Sequence, residues 1–209
     1  MKKLFSIIAA VILAFGLALP SHAGDFSKAQ MKKMSTFLSN FTEVGLNDFT
    51  AKEVLDPSKP LDMIHFAIRH QWLNNFHKNI KPDHTPYGDV SIDVKYVRES
   101  LKRYFDYDLQ GTPNVRNPYY EPDCTNCKPF LYYSDGARYY FVAADGEQAY
   151  FARVTQAKRL PDGNIQMKGV VYNAEDPSEV MGPFTAIAKP HTWNGKATWA
   201  IISLKTQYK

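Results

Sequence analysis

The sequence predicts an α+β protein in which three N-terminal helices pack on a mostly antiparallel, curved meander sheet. Three observations predict it. Apolar residues recur at three- and four-residue spacing between residues 28 and 109. From Pro129 onward the period drops to two, and turn dipeptides containing Gly punctuate the chain. Between these halves, residues 110–128 are rich in Pro, Asn and Gly, which reads as a loop and not as a domain boundary.

The chain opens with a segment outside this pattern. "MKKLFSIIAAVILAFGLALPSHA" carries Lys2 and Lys3, an apolar run from Leu4 to Leu19, Pro20, and small residues flanking His22. It reads as a secretory signal peptide over residues 1–23, cleaved after Ala23. The competing reading, a membrane anchor, needs about 20 apolar residues. No cysteine follows the run to take a lipid. The expected location is therefore the periplasm or the medium, with no stable membrane insertion after cleavage. Losing Lys2 and Lys3 lowers the formal net charge from +4 to +2. A nearly neutral exported chain is not a nucleic-acid binder. Residues 24–209 suit one domain with a sizeable core, and 14% aromatic residues exclude a disordered chain.

The first helix lies in "KAQMKKMSTFLSNFTEVG", with Met31, Met34, Phe37, Leu38, Phe41 and Val44 on one stripe and Gly45 as the stop. The second reads from Ser58, as N-cap, to Pro82, with Ile64, Ile68, Trp72, Leu73, Phe76 and Ile80 as its buried face. Residues 89–92, "DVSI", read as a short strand. The third helix is "DVKYVRESLKRYFDYDL", with Val94, Val97, Leu101, Tyr104 and Phe105 inward and Lys95, Glu99, Lys102 and Arg103 solvated. Strands follow at Pro129–Tyr133, Arg138–Ala143, Gln148–Arg159, Ile165–Asn173, Pro183–Lys189 and Ala197–Thr206. Asp135-Gly136, Asp145-Gly146, Asp162-Gly163 and Asn194-Gly195 mark the turns. The expected core includes Phe37, Phe41, Ile68, Trp72, Leu101, Phe105, Val171, Ile201 and Leu204.

Cys124 and Cys127 are the only cysteines. In an exported chain an even count favours a disulfide. A thioredoxin-like couple needs its first cysteine at a helix N-terminus, whereas Pro122 precedes, Pro129 follows and the next segment, "FLYY", reads as strand. A zinc site needs two further ligands that the sequence does not supply. A structural staple is the favoured reading; closing so short a loop contributes roughly 2 kcal/mol. His65 and His70 diverge by about 140° on a helix, and His70 and His77 are separated by about 10 Å of rise, so neither pair chelates one ion. They read as surface or helix-edge histidines, with Asn74 offering a small polar patch. Asp106 and Asp108 diverge or cap. No GxSxG elbow, phosphate loop, HExxH or EF-hand pattern is present. Neither a metal nor a cofactor is expected. Aromatics are the remaining feature: Tyr119-Tyr120, Tyr132-Tyr133 and Tyr139-Tyr140, joined by Tyr150, Phe151, Trp193 and Trp199. Most serve as core and cross-strand packing. The functional alternative is a pocket lined by Tyr139, Tyr150, Trp193 and Trp199, with Arg153 or Arg138 orienting a ligand.

Three helices followed by a curved antiparallel meander ending in a Trp-containing strand resembles the NTF2-like (cystatin-like) cone, in element order from Phe26 to Thr206. "SIDVKYVRESLKRYFDYDL" and "GPFTAIAKPHTWNGKATWAIISLKT" are similar to segments of a family of uncharacterised exported bacterial proteins. The likeness implies fold and export and carries no site residues. Two function classes are expected to compete. One is a non-catalytic periplasmic module binding a small molecule, peptide or envelope protein. The other is an enzyme with an unrecognised site, or a thiol-disulfide protein using Cys124 and Cys127. The missing catalytic signatures favour the first.

Overall fold

The computed structural model describes residues 26–74, 77–123, 127–143 and 149–208. The segment 1–23, Phe76, Cys124, the Asp145-Gly146 turn and Gln148 lie outside the described residues.

Helix α1 (Lys28–Thr42) starts at a capping box. The Gln30 N–H donates to the Ser27 hydroxyl at 3.2 Å, and the Ser27 N–H donates to the Gln30 side-chain oxygen at 2.8 Å. It ends before Gly45, whose φ of 80° only glycine adopts without strain. A two-residue strand, β1 (Phe49–Thr50), and a single turn, α2 (Ala51–Val54), follow; both escape the sequence patterns because they are shorter than any period.

Helix α3 (Leu61–Leu73) is shorter than the sequence suggests. Ser58 does not cap it. Its N–H and hydroxyl donate to Asp56 Oδ1 at 2.9 and 2.7 Å, a local turn that precedes Pro60. At the far end Asn74 turns extended (φ −94°, ψ 177°), which stops the helix before Ile80. Ile80 opens a strand instead, β2 (Ile80–Thr85), and Pro82 sits in that edge strand, where proline is tolerated. The expected "DVSI" strand lies within β3 (Gly88–Asp93), which runs straight into α4 (Val94–Phe105). The loop over 110–128 contains a further short strand, β4 (Val115–Arg116).

The remaining strands are β5 (Phe130–Ser134), β6 (Arg138–Phe141), β7 (Tyr150–Arg159), β8 (Ile165–Asn173), β9 (Val180–Trp193) and β10 (Lys196–Thr206). They match the expected segments within one or two residues at most ends, except that β9 runs from Val180 to Trp193, extending the expected Pro183–Lys189 at both ends up to the Asn194-Gly195 turn. Their assembly differs from a single meander. One antiparallel sheet has the order β1-β10-β9-β8-β7, and a second has the order β2-β3-β6-β5-β4. The helices are interspersed, with β2 and β3 between α3 and α4. The physical reason is that β6 pairs with β3, placing Ile92 opposite Tyr139, and does not pair with β7. The chain therefore changes sheets between Phe141 and Tyr150.

Buried side chains from both sheets and all four helices form one cluster. Phe41 is its hub: its ring lies 4.9 Å from Phe66, 5.4 Å from Phe37, 5.5 Å from Phe105, 5.6 Å from Phe49 and 5.8 Å from Tyr104. The expected core residues are buried except Trp72, which packs half-buried against Phe141. His65 and Trp72 of α3 meet the second sheet at Tyr132 and Phe141.

A second stripe of α1 is polar. Ser35, Ser39 and Thr42 follow four-and-three spacing and lie against the free edge of β7. The Val154 N–H donates to Ser35 at 2.9 Å, the Ala152 N–H donates to Ser39 at 3.0 Å, and Thr42 donates to the Tyr150 carbonyl at 2.7 Å. Four helix residues rise about 6 Å and two strand residues about 6.6 Å, so hydroxyls one turn apart meet alternate strand residues. Beyond Val154 the register shifts by one residue at Thr155. Gly169 faces this bulge, where an added Cβ would lie 1.9 Å from the Arg153 carbonyl oxygen.

Replacing Ser39 by Ala leaves the buried Ala152 N–H without its acceptor. The expected cost is about 1–3 kcal/mol, read as a lowered urea midpoint at unchanged slope. Thr36→Ala, on the solvated side of the same helix, is expected to change it by a few tenths of that at most; equal losses would contradict the edge-sealing role of Ser39.

Candidate functional site

The five aromatic and arginine residues expected to form one pocket are dispersed. Tyr139 is fully buried, and its hydroxyl donates to the Pro113 carbonyl at 3.2 Å. Tyr150 is half-buried at the start of β7, under the Thr42 hydroxyl. Arg153 is exposed and stacks its guanidinium over Tyr172 at 4.4 Å. Trp193 borders a small groove with Leu109, Glu99 and Lys102. Trp199 packs on Phe37 and lines a different groove with Phe26 and His191. Alternation along strands separates neighbours to opposite faces, and the division into two sheets separates Tyr139 from the rest.

Three grooves are contiguous on the side where α1 meets β7. One of about 560 Å³ runs between Phe26, Met31 and the outer half of β7, from Thr155 to Lys158. Another, of about 490 Å³, lies on the other side of Phe26 and reaches Trp199. A third, of about 330 Å³, shares Met31 and extends past Lys32 to Arg153. Together they present Lys28, Lys32, Arg153, Lys158, Arg159 and Lys168, and among the described residues no Asp or Glu lines any of them. Among the described residues none of these six cations is in an ion pair; the ion pairs there engage Lys95, Lys102, Arg138, Lys189, His191 and Lys205. Helix α1 adds to the positive potential, since its first turn carries no acid and its N-terminus lies here. The walls mix apolar Phe26, Met31, Ala157 and Trp199 with Gln30, Thr155, Gln156 and Gln166, and the rim is cationic, on a chain whose overall charge is small. Sequence reasoning missed this site. Its signal is the absence of acids from "KAQMKK" and "FARVTQAKR", two segments far apart in the chain that packing brings together.

A second cleft, of about 390 Å³, separates α3 from β5 and β6. It is lined by His65, Tyr132, Arg69, Lys128, Phe141 and Cys127 among others. His65 Nδ1 and the Tyr132 hydroxyl are hydrogen-bonded at 2.8 Å. Asn117 closes the loop beside it by donating to the Lys128 carbonyl at 3.0 Å. Cys127 is not a free thiol. Among the described residues no group of three or more His, Cys, Asp or Glu side chains is placed to hold a metal ion.

Of the other histidines, His70 departs from the surface reading. His77 is on a separate 3-10 turn, since α3 ends at Leu73. His70 is 1% exposed, its ring stacked 5.8 Å from Phe66 and edge-on to Tyr104 at 4.6 Å. The Asn74 side-chain amide lies 3.0 Å from His70 Nδ1 and also donates to Glu43. A donor at Nδ1 leaves the ring proton on Nε2. Burial, reinforced by the Arg103 charge, pushes the His70 pKa down to about 3, so the ring stays neutral. Burial likewise raises the Tyr104 phenol to about 12 and lifts the Glu43 carboxyl, against the opposing Asn74 hydrogen bond. Glu43, Asn74 and His70 line none of these grooves; they tie the C-terminal ends of α1 and α3 together.

Asp106 caps α4 in the left-handed region at φ 53°. Hydrogen bonds from Lys189 and Lys102 hold its carboxylate at a pKa of about 2. Asp108 also bonds Lys102, so the two acids share a cation and do not form a catalytic pair.

No family model, curated protein or solved structure matches this chain. Among the described residues no helix is long and apolar enough to cross a membrane.

Because His70 binds a proton more readily unfolded than folded, its contribution to stability is present above pH 6.5 and is lost as pH falls toward 3. Glu43 acts with the opposite sign at the acid end, so the comparison is made between pH 7 and pH 5. There the wild type should lose stability with a slope approaching about 1.4 kcal/mol per pH unit, and His70→Leu should remove that component. Parallel pH profiles for the two proteins would contradict the buried, neutral histidine.

Proposed function

We propose that this chain is an exported, non-catalytic binding module of the periplasm or medium, and that its ligand seat is the groove system along α1 and β7. The observation that carries the reading is the cationic rim, free of acids among the described residues, over walls that mix apolar and uncharged polar side chains, which suits a ligand with anionic groups and some apolar surface. Small molecules, peptides and envelope proteins can all present that chemistry. The NTF2-like resemblance belongs to the proposal at the level of element order alone, and such folds host both enzymes and binding modules. The Cys124–Cys127 bridge belongs to it as a structural staple of the loop beside β5.

Fluorescence anisotropy with labelled poly-L-glutamate tests the seat. Reversal of Lys158 and Lys168 to Glu is expected to weaken binding by at least about tenfold and to flatten its salt dependence. Reversal of Lys52 and Lys59, on and beside α2 and away from the β7 edge, is expected to leave it within about twofold. Equal losses would show that the groove is not the seat.

One observation favours the redox or enzymatic alternative: Cys127 lines the α3 cleft beside the hydrogen-bonded His65–Tyr132 pair. Once the bridge is reduced, an imidazole near the released thiol is a means of activating it. Replacing both cysteines by Ser separates the readings. As a staple, the pair contributes roughly 2 kcal/mol, and the variant folds and binds poly-L-glutamate like the wild type. Disulfide reduction or oxidation of a model substrate by the wild type, absent in the variant, would favour the redox protein.

A further inference from the structure

We propose that the outer edge of β7 between Gln156 and Arg159 accepts an extended acidic peptide segment as an added β-strand. The inference rests on the reading of the adjoining groove as a seat for anionic ligands and names the ligand class and its mode of binding.

The argument begins with hydrogen-bond phase. Before the bulge, Ala152 and Val154 direct their N–H groups away from β8 and into the α1 hydroxyls. One residue is inserted at Thr155, so the phase inverts. Beyond it the register is regular from Gln156 opposite Lys168 to Arg159 opposite Ile165, and the hairpin closes with Leu160 N–H bonded to the Asn164 carbonyl at 2.7 Å. Leu160 therefore faces β8, and alternation turns Ala157 and Arg159 outward. The α1 hydroxyls stop at Ser35, opposite Val154, and among the described residues no other strand pairs with β7 on this side. The outer backbone groups of Ala157 thus face the 560 Å³ groove whose far wall is Met31 and Phe26, and those of Arg159 face the adjoining 490 Å³ groove on the other side of Phe26. A strand laid there at the usual 4.8 Å spacing completes the ladder and gives alternate side chains an apolar wall.

Charge decides which strand. Lys158, Arg159 and Lys168 flank the edge, with no carboxylate along the groove among the described residues. Lysine on an exposed edge discourages pairing with an identical edge, so a second copy of β7 is disfavoured. An acidic segment meets the opposite condition.

The test uses the whole mature protein and the capped octapeptide EVETEVET, with two variants N-methylated on either set of alternate amides. Strand addition predicts that one N-methylated form loses at least about tenfold in affinity and the other binds like the parent. It also predicts new amide-exchange protection at Ala157 and Arg159. Ala157→Pro removes an outward N–H where an edge strand tolerates proline, and is expected to abolish peptide binding with the fold retained by circular dichroism. Should that variant fail to fold, the N-methyl comparison on the wild type still decides. Equal binding of all three peptides overturns strand addition while leaving the anionic groove standing, provided the Lys158 and Lys168 reversal still weakens it. No binding of the octapeptide, or binding to phosphatidylglycerol vesicles that the octapeptide does not displace, also overturns it.

Discussion

The first sheet depends on how the long edge of β7 is satisfied. Its other edge is the two-residue β1, which exposes little backbone. β7 has ten residues and, among the described residues, no strand beyond it. Unpaired N–H groups beside a core carry a full desolvation penalty, and a second strand is the usual remedy. Here a helix supplies acceptors instead, through Ser35, Ser39 and Thr42. These contacts fix both the axial position of α1 and its rotation, because hydroxyls one turn apart must meet alternate strand residues. With the rotation set, Met34, Phe37, Leu38 and Phe41 point into the core. Phe41 then gathers Phe49, Phe66, Tyr104 and Phe105 from three other elements.

One set of buried and half-buried polar groups, from Gln71, Ser100, Asn79, Glu43, Asn74 and His70, joins helix ends and helix contacts. The Gln71 side chain donates to Ser100 at 2.9 Å and accepts from Asn79 at 2.9 Å, joining α3 to α4 and to the turn before β2. Glu43, Asn74 and His70 do the same for α1 and α3. Each group is paired, so burial costs less than it would for an orphan. The directional bonds also select one rotation of α3, which apolar packing alone would leave less defined. Neutrality of His70 follows from this placement and makes the region sensitive to acid.

The groove is a by-product of where the edge seal stops. α1 covers β7 as far as Val154; the bulge at Thr155 then inverts the phase, and the helix start leaves a channel floored by Phe26 and Met31. Gly169 permits the bulge, since any side chain there would meet the backbone of Arg153. Six cations converge on the channel from α1, β7 and β8. Their convergence creates a local field that net charge does not reveal. Acids elsewhere are engaged with other cations, as Asp106 is with Lys102 and Lys189.

Local order was legible in the chain itself. The Met34–Phe41 stripe, the α4 stripe and the turn dipeptides at Asp162-Gly163 and Asn194-Gly195 are properties of consecutive residues, so their elements appear where the pattern places them. The break of alternation in "ARVTQAKR", apolar at Ala152, Val154 and then Ala157, even records the bulge. Helix α3 was over-read because its apolar spacing continues to Ile80, while the extended turn at Asn74 and the pairing of β2 with β3 end it. Partner choice was not legible: nothing in β6 says that it pairs with β3 and not with β7, so two sheets replace one meander. The same holds for the site. Strand pairing and helix docking, which act between residues tens to more than a hundred positions apart, decided that Tyr139 is core, that His70 is neutral, and that Lys28 shares a groove with Arg153.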